Sequence, residues 1–577
     1  MSSVFSPGWV AIALGLLIPL VPKGKARKGF LLLIPILSYL YLLYLRSAVG
    51  VEVRPEFELL GYTMFPVYID ALSFAFGTVF HIALLLGLIF ALHVDDWTQH
   101  VAATVYAGGA IGAVFAGDLV TLFIYWELIA FASAFLIWAR RTKRAYKTGQ
   151  RYLIWQIVSG LLLLAGILVR ADAGLGIELG TIELGSPGSL LIFVAFGIKC
   201  AWPGLHCWLS DAYPEATPTG AVFLSAFTTK LAVYALARCF AGNEELIWIG
   251  AGMAGFPIFF AVIENDMRRV LAYSLINQVG FMVVGIGVGT ELAINGATAH
   301  AFADVLFKGL LFMTMGAVLH RTGKIHASDL GGLYKAMPFT AVCCLVGAAS
   351  ISAFPLFSAF ATKGLIMDAA ANNGHAFVWF VLLFAAAGVF HHAGIKIPFF
   401  AFFGHDSGLR PKSAPLNMKI AMGLGAFGCI AIGCYPWALY DMLPHPGALA
   451  DYHVYSFAHV LSQLQILFFS ALAFVTLMLT GLYPPELHSV NLDADWLIRR
   501  PLRAIWRVLI GGFGRIARGV QTLCLESIPR SAAQFVESYG SERGALRGRG
   551  PLGSSVLVVM ILLVVYLAFS LGLVPKP

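Results

Sequence analysis

DLVTLFIYWELIAFASAFLIW, residues 118–138, is long and apolar enough to cross a bilayer as a helix, and it carries a carboxylate, Glu127, near its middle. A charged side chain at that depth costs at least about 2.5 kcal/mol, even on the most lenient insertion scale. Five more ionisable residues lie in comparable apolar stretches, namely Lys199, Lys230, Lys308, Lys363 and Lys396. Intramembrane charges of this kind indicate a path for ions or protons, with partners of opposite charge nearby.

The composition is that of a helical membrane protein. Of 577 residues, 59% are hydrophobic and only 12% are charged, whereas soluble domains carry about 25% charged residues. The apolar runs are long rather than alternating, which favours helices over a transmembrane barrel. We therefore expect an all-α polytopic membrane protein with about 14–16 transmembrane helices. The candidate segments are 8–21, 30–45, 70–92, 101–116, 119–138, 152–169, 188–213, 218–240, 246–263, 271–289, 293–319, 338–372, 376–403, 416–436, 457–482 and 554–573.

The basic residues predict the orientation and help to divide the chain. With the N-terminus outside, most of the 38 lysines and arginines fall in loops on the inner side, as the positive-inside rule requires. In the longest of these loops, apolar residues at 502–520 recur at helical spacing, which predicts an amphipathic interfacial helix; a basic linker is the alternative. The expected domains are N-terminal helices (1–100), a first inverted repeat (101–240), a second (246–403), C-terminal core helices (404–482), the basic cytoplasmic loop (483–553) and a final transmembrane helix (554–577).

The first group of candidate site residues is Glu127 with Lys199 and Lys230, which lie on three separate segments. A carboxylate stabilises a nearby ammonium, and burial lowers the pKa of a lysine that loses this partner. Such a group can carry protons if its surroundings change during a cycle. The alternative is a static ion pair that locks helices together, although buried pairs stabilise proteins only weakly.

The second group lies in HAFADVLFKGLLF, residues 300–312. His300, Asp304 and Lys308 are each four residues apart and therefore share one helix face. An acidic residue four positions before a lysine is the favourable order for an ion pair, so we expect Asp304 to pair with Lys308. The three groups together would form a short proton wire, and a single local salt bridge with a bystander histidine is the alternative.

Two lysines precede or follow a proline within a predicted segment. Lys199 precedes Pro203, and Lys363 follows Pro355. Proline removes a backbone hydrogen bond and interrupts a helix, and such breaks are tolerated in a bilayer only inside protein or beside a hydrated cavity. On the predicted map the two broken helices run in opposite directions, which indicates an inverted repeat with a site near the midplane. The following segments carry Lys230 and Lys396.

Other polar groups carry weaker signals. His206, Asp211 and Glu215 follow Lys199 toward the inner side; they either link that lysine to cytoplasmic water or cap the helix at the interface. His391 and His392 precede Lys396, but without further ligands at metal-site spacing we expect no metal. The sequence lacks a phosphate-binding loop of the GxxxxGK[ST] type and a hydrolase motif in a convincing context, and we expect no cofactor.

Six blocks of the sequence resemble the proton-translocating, antiporter-like subunits of respiratory complex I and of the multisubunit Mrp cation/proton antiporters. They occur in the family's order and cover about residues 60–405. The blocks are GDLVTLFIYWELIAFASAFLI (117–137), GIKCAWPGLHCWLSDAYPEATPTGAVFLSAFTTKLAVYALAR (197–238), DMRRVLAYSLINQVGFM (266–282), HAFADVLFKGLLF (300–312), GGLYKAMP (331–338) and SAFPLFSAFATKG (352–364).

The resemblance implies a fourteen-helix core with two inverted five-helix repeats, each containing a broken helix, and a central polar axis. By motif position Glu127 matches the family's key glutamate, and Lys308 its central lysine. Lys199 and Lys230 match the lysines of the first repeat, and Lys363 the broken-helix residue of the second. One departure is Asp304, which stands where the family often has a histidine. The surroundings of Lys396 resemble Mrp D-type subunits.

The function that this resemblance implies is that of a membrane subunit of a multisubunit Na+ or K+/proton antiporter in a bacterial inner membrane, most like the D-type subunits of Mrp complexes. Its expected partners are other membrane subunits, protons, Na+ or K+, and lipids, but not nucleic acid. Two alternatives remain. One is a proton-pumping subunit of a complex I-like NADH:quinone oxidoreductase or membrane hydrogenase, which would make the chain part of an enzyme. The other is a membrane subunit of an inorganic-carbon uptake complex.

Overall fold

The chain is helical almost throughout. The computed structural model describes residues 5–49, 56–59, 61–489, 491–494 and 559–564, together with scattered residues between 496 and 534. It divides into two units, 1–491 and 492–577. The first ten helices of the first unit are α1 Pro7–Leu17, α2 Lys25–Val49, α3 Ala71–Ala91, α4 Trp97–Val114, α5 Leu119–Trp138, α6 Lys143–Asp172, α7 Pro187–Cys200, α8 Cys207–Ala212, α9 Gly220–Ala226 and α10 Thr228–Cys239.

The remaining helices complete the same unit. π-helical turns at Phe390–Lys396 and Phe399–Phe403 prolong α17, and a short antiparallel hairpin, β1 Phe57–Leu59 and β2 Tyr62–Met64, precedes α3. The helices are α11 Glu244–Gly255, α12 Pro257–Ile263, α13 Met267–Val288, α14 Glu291–Thr322, α15 Pro338–Ile351, α16 Ser358–Asn372, α17 Ala376–Val389, α18 Leu416–Cys434, α19 Trp437–Tyr440 and α20 Phe457–Leu479.

The predicted all-α polytopic fold is confirmed. Eleven helical stretches among the described residues are long and apolar enough to cross a membrane. Every segment predicted between 8–21 and 457–482 coincides with a helix or with a pair of helices. The predicted final span (554–573), the amphipathic helix (502–520) and the basic loop around it fall largely outside the described residues.

Burial separates the central helices from the peripheral ones. The stretch Gly220–Cys239, which comprises α9 and α10, is buried throughout, as is α13, and α14 is almost entirely buried. By contrast, α2 and α20 expose large apolar side chains such as Leu33, Leu40 and Phe468. An apolar outer face is what lipid requires of a helix that spans a bilayer. The charged candidates on α10 and α14 therefore lie in protein, away from lipid.

The first predicted helix break lies between α7 and α8. Ala201 ends α7 in the left-handed conformation, with φ 63°, which costs a non-glycine residue about 1–2 kcal/mol. The indole Nε1 of Trp208 donates to the carbonyl of Ile198 at 2.9 Å, so that one of the carbonyls freed by the break is satisfied inside the protein. Lys199 consequently lies in the last turn of α7, next to the break.

The second predicted break lies between α15 and α16. Ala353 and Leu356 both have positive φ, at 57° and 72°. The ammonium of Lys363 donates to the carbonyl of Ile351, the last residue of α15, at 3.1 Å. In each half the broken helix is the fourth segment in order, after α4, α5 and α6 in the first half and after α11–α12, α13 and α14 in the second. This order agrees with the proposed repeats, whose boundaries stay a prediction.

Candidate functional site: a row of buried charges

Glu127 begins the row, in the middle of α5. Its Oε1 atom is buried and has no hydrogen-bond partner among the described residues. Gly160 of α6 faces it so closely that a Cβ atom at position 160 would overlap Oε1. The absence of a side chain at position 160 therefore makes room for the carboxylate. A buried polar atom without a partner is rare in proteins and points to function or to an ordered water.

Lys199 lies beside Glu127 but does not contact it directly. Its ammonium donates to the carbonyl of Trp126 at 2.5 Å and lies 4.4 Å from the centre of that indole ring. The charges of Glu127 and Lys199 interact, yet neither a hydrogen bond nor an ion pair is present between these two described residues. The predicted pairing is thus a loose one, with the lysine held by backbone and aromatic ring.

Lys230 has a different partner from the one expected. It forms an ion pair with Asp304, and both side chains are completely buried. The Lys230 ammonium also donates to the carbonyl of Ser225 at 3.1 Å. The grouping of Lys230 with Glu127 is therefore not formed. Instead, this pair joins α10 of the first half to α14 of the second.

The expected pair between Asp304 and Lys308 is wrong for the same reason. Lys308 donates to the hydroxyl of Ser274 on α13 at 2.6 Å, while Asp304 points toward α10. Spacing along one helix makes a pair feasible, but in a buried bundle a partner on a neighbouring helix can compete with it. Lys308 consequently carries a buried ammonium whose only hydrogen bond among the described residues is to a neutral hydroxyl.

His300 connects α14 to two further helices. Its Nδ1 lies 3.0 Å from the hydroxyl of Thr362 on α16, and its Nε2 lies 3.2 Å from Oε1 of Gln278 on α13. His300, Asp304 and Lys308 therefore share α14 as predicted, but each bonds to a different neighbour. The three do not bond to one another as a wire.

Lys363 lies at the second break. Besides its bond to Ile351, its ammonium lies 4.8 Å from the ring centre of Phe281. This environment resembles that of Lys199, since each lysine is held by a backbone carbonyl and an aromatic ring beside a broken helix. The likeness supports the interpretation that the two breaks play equivalent parts in the two halves.

Lys396 ends the row at the side of the basic loops. Its ammonium donates to the carbonyls of Val262 and Glu264 at 2.6 and 2.7 Å and lies 2.9 Å from Oε1 of Glu486. Glu486 was missed in the sequence because it stands in a proline-flanked loop, where no helical period places it against a lysine. Burial raises the pKa of Glu486, an effect that the Lys396 ammonium opposes without cancelling it.

The three weaker candidates lie in ion pairs at the surface or remain buried beside the broken helix. Asp211 binds Arg151 at 2.6 Å, and Glu215 binds Arg144 at 2.7 Å. His206 is buried, with its ring 4.6 Å from that of Phe256. These contacts favour the interpretation of the acidic residues as interfacial groups that anchor the basic segment 139–151.

Comparisons with known proteins place this geometry in context. Residues 116–390 match the family described as NADH:quinone oxidoreductase/Mrp antiporter, transmembrane. The chain is 28% identical over 491 residues to a Na(+)/H(+) antiporter subunit of Alkalihalophilus pseudofirmus, in a match that covers 74% of this chain and 61% of that protein. The chain thus spans about three fifths of the length of that curated relative.

Two solved structures share the fold. A chain of the Mrp complex from Dietzia sp. DQ12-45-1b has a TM-score of 0.68 at 19% identity and covers 79% of this chain and 99% of that one. A chain of the membrane-bound sulfane sulfur reductase, an archaeal respiratory membrane complex, has a TM-score of 0.68 at 23% identity and covers 97% of this chain and 99% of that one. The resemblance drawn from the six sequence blocks is confirmed.

Proposed function

We propose that this chain, whose residues 116–390 match the NADH:quinone oxidoreductase/Mrp antiporter family, moves protons along its row of buried charges. It does so as the membrane subunit of a multisubunit Na+ or K+/proton antiporter in a bacterial inner membrane. The relative from Alkalihalophilus pseudofirmus, named as an antiporter subunit, supports this assignment. The other subunits, the exchanged cation and lipids are its proposed partners.

The observation that carries the proposal is the buried pair of Lys230 and Asp304, with further charges on both sides. A buried ion pair is a weak device for stability, because desolvation offsets most of the attraction. Here the pair joins the two halves of the bundle, and Lys199 and Lys308 on either side lack a carboxylate in direct contact. A proton that arrives at either lysine changes the field on the central pair.

This arrangement suggests how proton movement in the two halves is coupled. When Asp304 is drawn toward Lys230, Lys308 loses its nearest carboxylate and releases a proton more easily. When Asp304 turns instead toward Lys308, four residues away on the same helix face, Lys230 is the lysine left unpaired. Asp304 is thus a switch between two lysines, and the structure holds its Lys230-bound state.

The test is to purify the complete complex through a tag on this chain and to reconstitute it in vesicles with a Na+ or K+ gradient. A lumenal pH dye should report proton movement that starts with the cation gradient and ends when that gradient is dissipated. Proton movement that is indifferent to both cations would contradict the antiport assignment.

A second candidate is a proton-pumping subunit of a respiratory redox complex. The observation that favours it is the match to the sulfane sulfur reductase chain, which covers 97% of this chain, against 79% for the Mrp chain. Identification of the co-purified subunits separates the two. Redox-active partner subunits would favour this candidate, and cofactor-free membrane subunits favour the antiporter. A carbonic-anhydrase-like partner would point to inorganic-carbon uptake.

A further inference from the structure

The basic side of the bundle contains an open cavity that reaches a buried carboxylate. Its volume is about 360 Å³, room for about ten water molecules. The segment after α14, the π-helical turn at Phe399–Phe403 and the chain after α20 all contribute to its wall. Six of the lining residues are Ala327, Ser328, Phe400, His405, Tyr483 and Glu486.

Glu486 stands where this cavity meets the packed bundle. Its side chain is only 8% exposed, and its Oε1 lies 2.9 Å from the ammonium of Lys396, which is completely buried. The second oxygen, Oε2, is buried as well and has no hydrogen-bond partner among the described residues. Glu486 therefore borders the cavity on one side and contacts an intramembrane lysine on the other.

The next titratable group inward is His392, in the same π-helical turn as Lys396. His392 is completely buried, and its Nε2 has no hydrogen-bond partner among the described residues. The charges of both Lys396 and Lys308 act on this imidazole. A buried ring nitrogen without a partner is costly, so packing alone does not explain a histidine between two lysines.

We propose that Glu486 and Lys396 form a proton access site that supplies the row of buried charges through His392 to Lys308. This inference rests on the proposed function and adds a route between that row and the water on the basic side. Glu486 takes a proton from cavity water and passes it to the neutral amine of Lys396. The ammonium so formed protonates Nε2 of His392, and the imidazolium passes a proton on toward Lys308. Each donor then regains its proton from the group before it.

The first measurement needs no transport. In oriented vesicles, a membrane-impermeant carbodiimide with an added amine should modify Glu486 from the side of the basic loops, as read by mass spectrometry. Glu127, which does not line this cavity, should stay unmodified from that side. Modification of Glu486 only from the opposite side, or not at all while Asp406 reacts, would overturn the access site.

The second measurement compares proton movement in the complete complex carrying Glu486→Gln with that in wild type. The loss of a proton-transferring carboxyl should slow the movement by about 100-fold, the lower range for a positioned acid–base group. Asp406→Asn is the matched control, because Asp406 is exposed and pairs with Arg410 at the same side of the bundle; it should move protons at the wild-type rate. A wild-type rate in Glu486→Gln would overturn the proposal.

A double variant separates proton transfer from a static ion pair. If Glu486 and Lys396 only hold the bundle together, Glu486→Gln with Lys396→Gln removes both charges and should restore the wild-type rate. If they transfer protons, the double variant should remain as slow as the single one. Failure of the proposed function is a different result, in which the wild-type complex and Asp406→Asn both move no protons.

Discussion

At the scale of single residues, each buried charge in this bundle has its own surroundings. Glu127 lies against a glycine, Lys199 and Lys363 are held by a carbonyl and a ring, and the pair of Lys230 and Asp304 is fully buried. Groups of one chemical type in unlike surroundings release protons at unlike pH values. Such a graded series is what stepwise transfer requires.

Gly160→Ala should displace the Glu127 carboxylate. The new Cβ would overlap Oε1, but the carboxyl is the end of a flexible side chain, which can turn aside with little effect on stability. We expect normal assembly of the complex and proton movement reduced by about tenfold or more, since misplacement by about 1 Å can cost roughly 100-fold. Gly423→Ala is the control, because the added Cβ would meet its nearest neighbour, Phe339, at an ordinary 3.5 Å. Equal rates in the two variants would argue against a precise position for Glu127.

Removal of one member of the pair between Lys230 and Asp304 should cost more stability than removal of both. Lys230→Met or Asp304→Asn leaves an uncompensated buried charge, which costs about 3–5 kcal/mol, whereas the loss of both charges is often nearly neutral. The free energy of unfolding in detergent, measured for the four proteins of a double-mutant cycle, checks this. Additive losses in the double variant would mean that the two residues are not coupled.

At the scale of helices, the breaks are held by specific contacts. The two broken helices were predictable from prolines within apolar runs, and so were nearly all spans, because length and hydropathy determine them. The partner of Asp304 was not predictable, since a buried carboxylate four residues from one lysine pairs with another on α10. Glu486 was also beyond prediction, because which loop folds over which lysine depends on tertiary packing.

The second break should be stabilised by glycine. Ala353 has φ 57°, a conformation that costs a residue with a Cβ about 1–2 kcal/mol. Ala353→Gly should therefore raise the free energy of unfolding by about 1 kcal/mol. Ala348→Gly, inside α15, should lower it by about 1 kcal/mol. Thermal unfolding in detergent distinguishes the two, and a loss of stability in both would show that the backbone at the break is not strained.

The contact between α3 and the end of α10 should depend on pH. Asp70 accepts two hydrogen bonds from Arg238, at 2.5 and 2.7 Å. Burial alone would raise the Asp70 pKa, but the hydrogen bonds and charge of Arg238 outweigh it, so that the pKa lies below its ordinary 3.8. A carboxylate with a lowered pKa stabilises the fold above its unfolded pKa, and this contribution is lost as the pH falls through the folded value.

Asp70→Asn should accordingly lower the free energy of unfolding by about 1–3 kcal/mol at neutral pH, the range for hydrogen bonds to charged groups. The difference from wild type should stay at full size down to about pH 4 and shrink below it. The exposed pair of Asp406 and Arg410 provides the control, since Asp406→Asn should change stability by less than about 1 kcal/mol. A difference that persists unchanged in strong acid would exclude a role for the charge of Asp70.

At the scale of the whole molecule, the buried charges form one series across both halves. It begins at Glu127 on α5, crosses from α10 to α14 at the pair of Lys230 and Asp304, and ends at Lys396 beside Glu486. Because the crossing pair is shared by the two halves, a proton added at one end alters the charges that the other end experiences. Proton transfer along this series is the central proposal.

The most direct test is proton movement in vesicles that contain the complete complex with Glu127→Gln, a variant that keeps the shape of the side chain but cannot ionise. Glu245→Gln, at the exposed start of α11, is the matched control. Transfer along the series predicts that Glu127→Gln assembles normally and moves protons at least about 100-fold more slowly, while Glu245→Gln matches wild type. A wild-type rate in Glu127→Gln would contradict it.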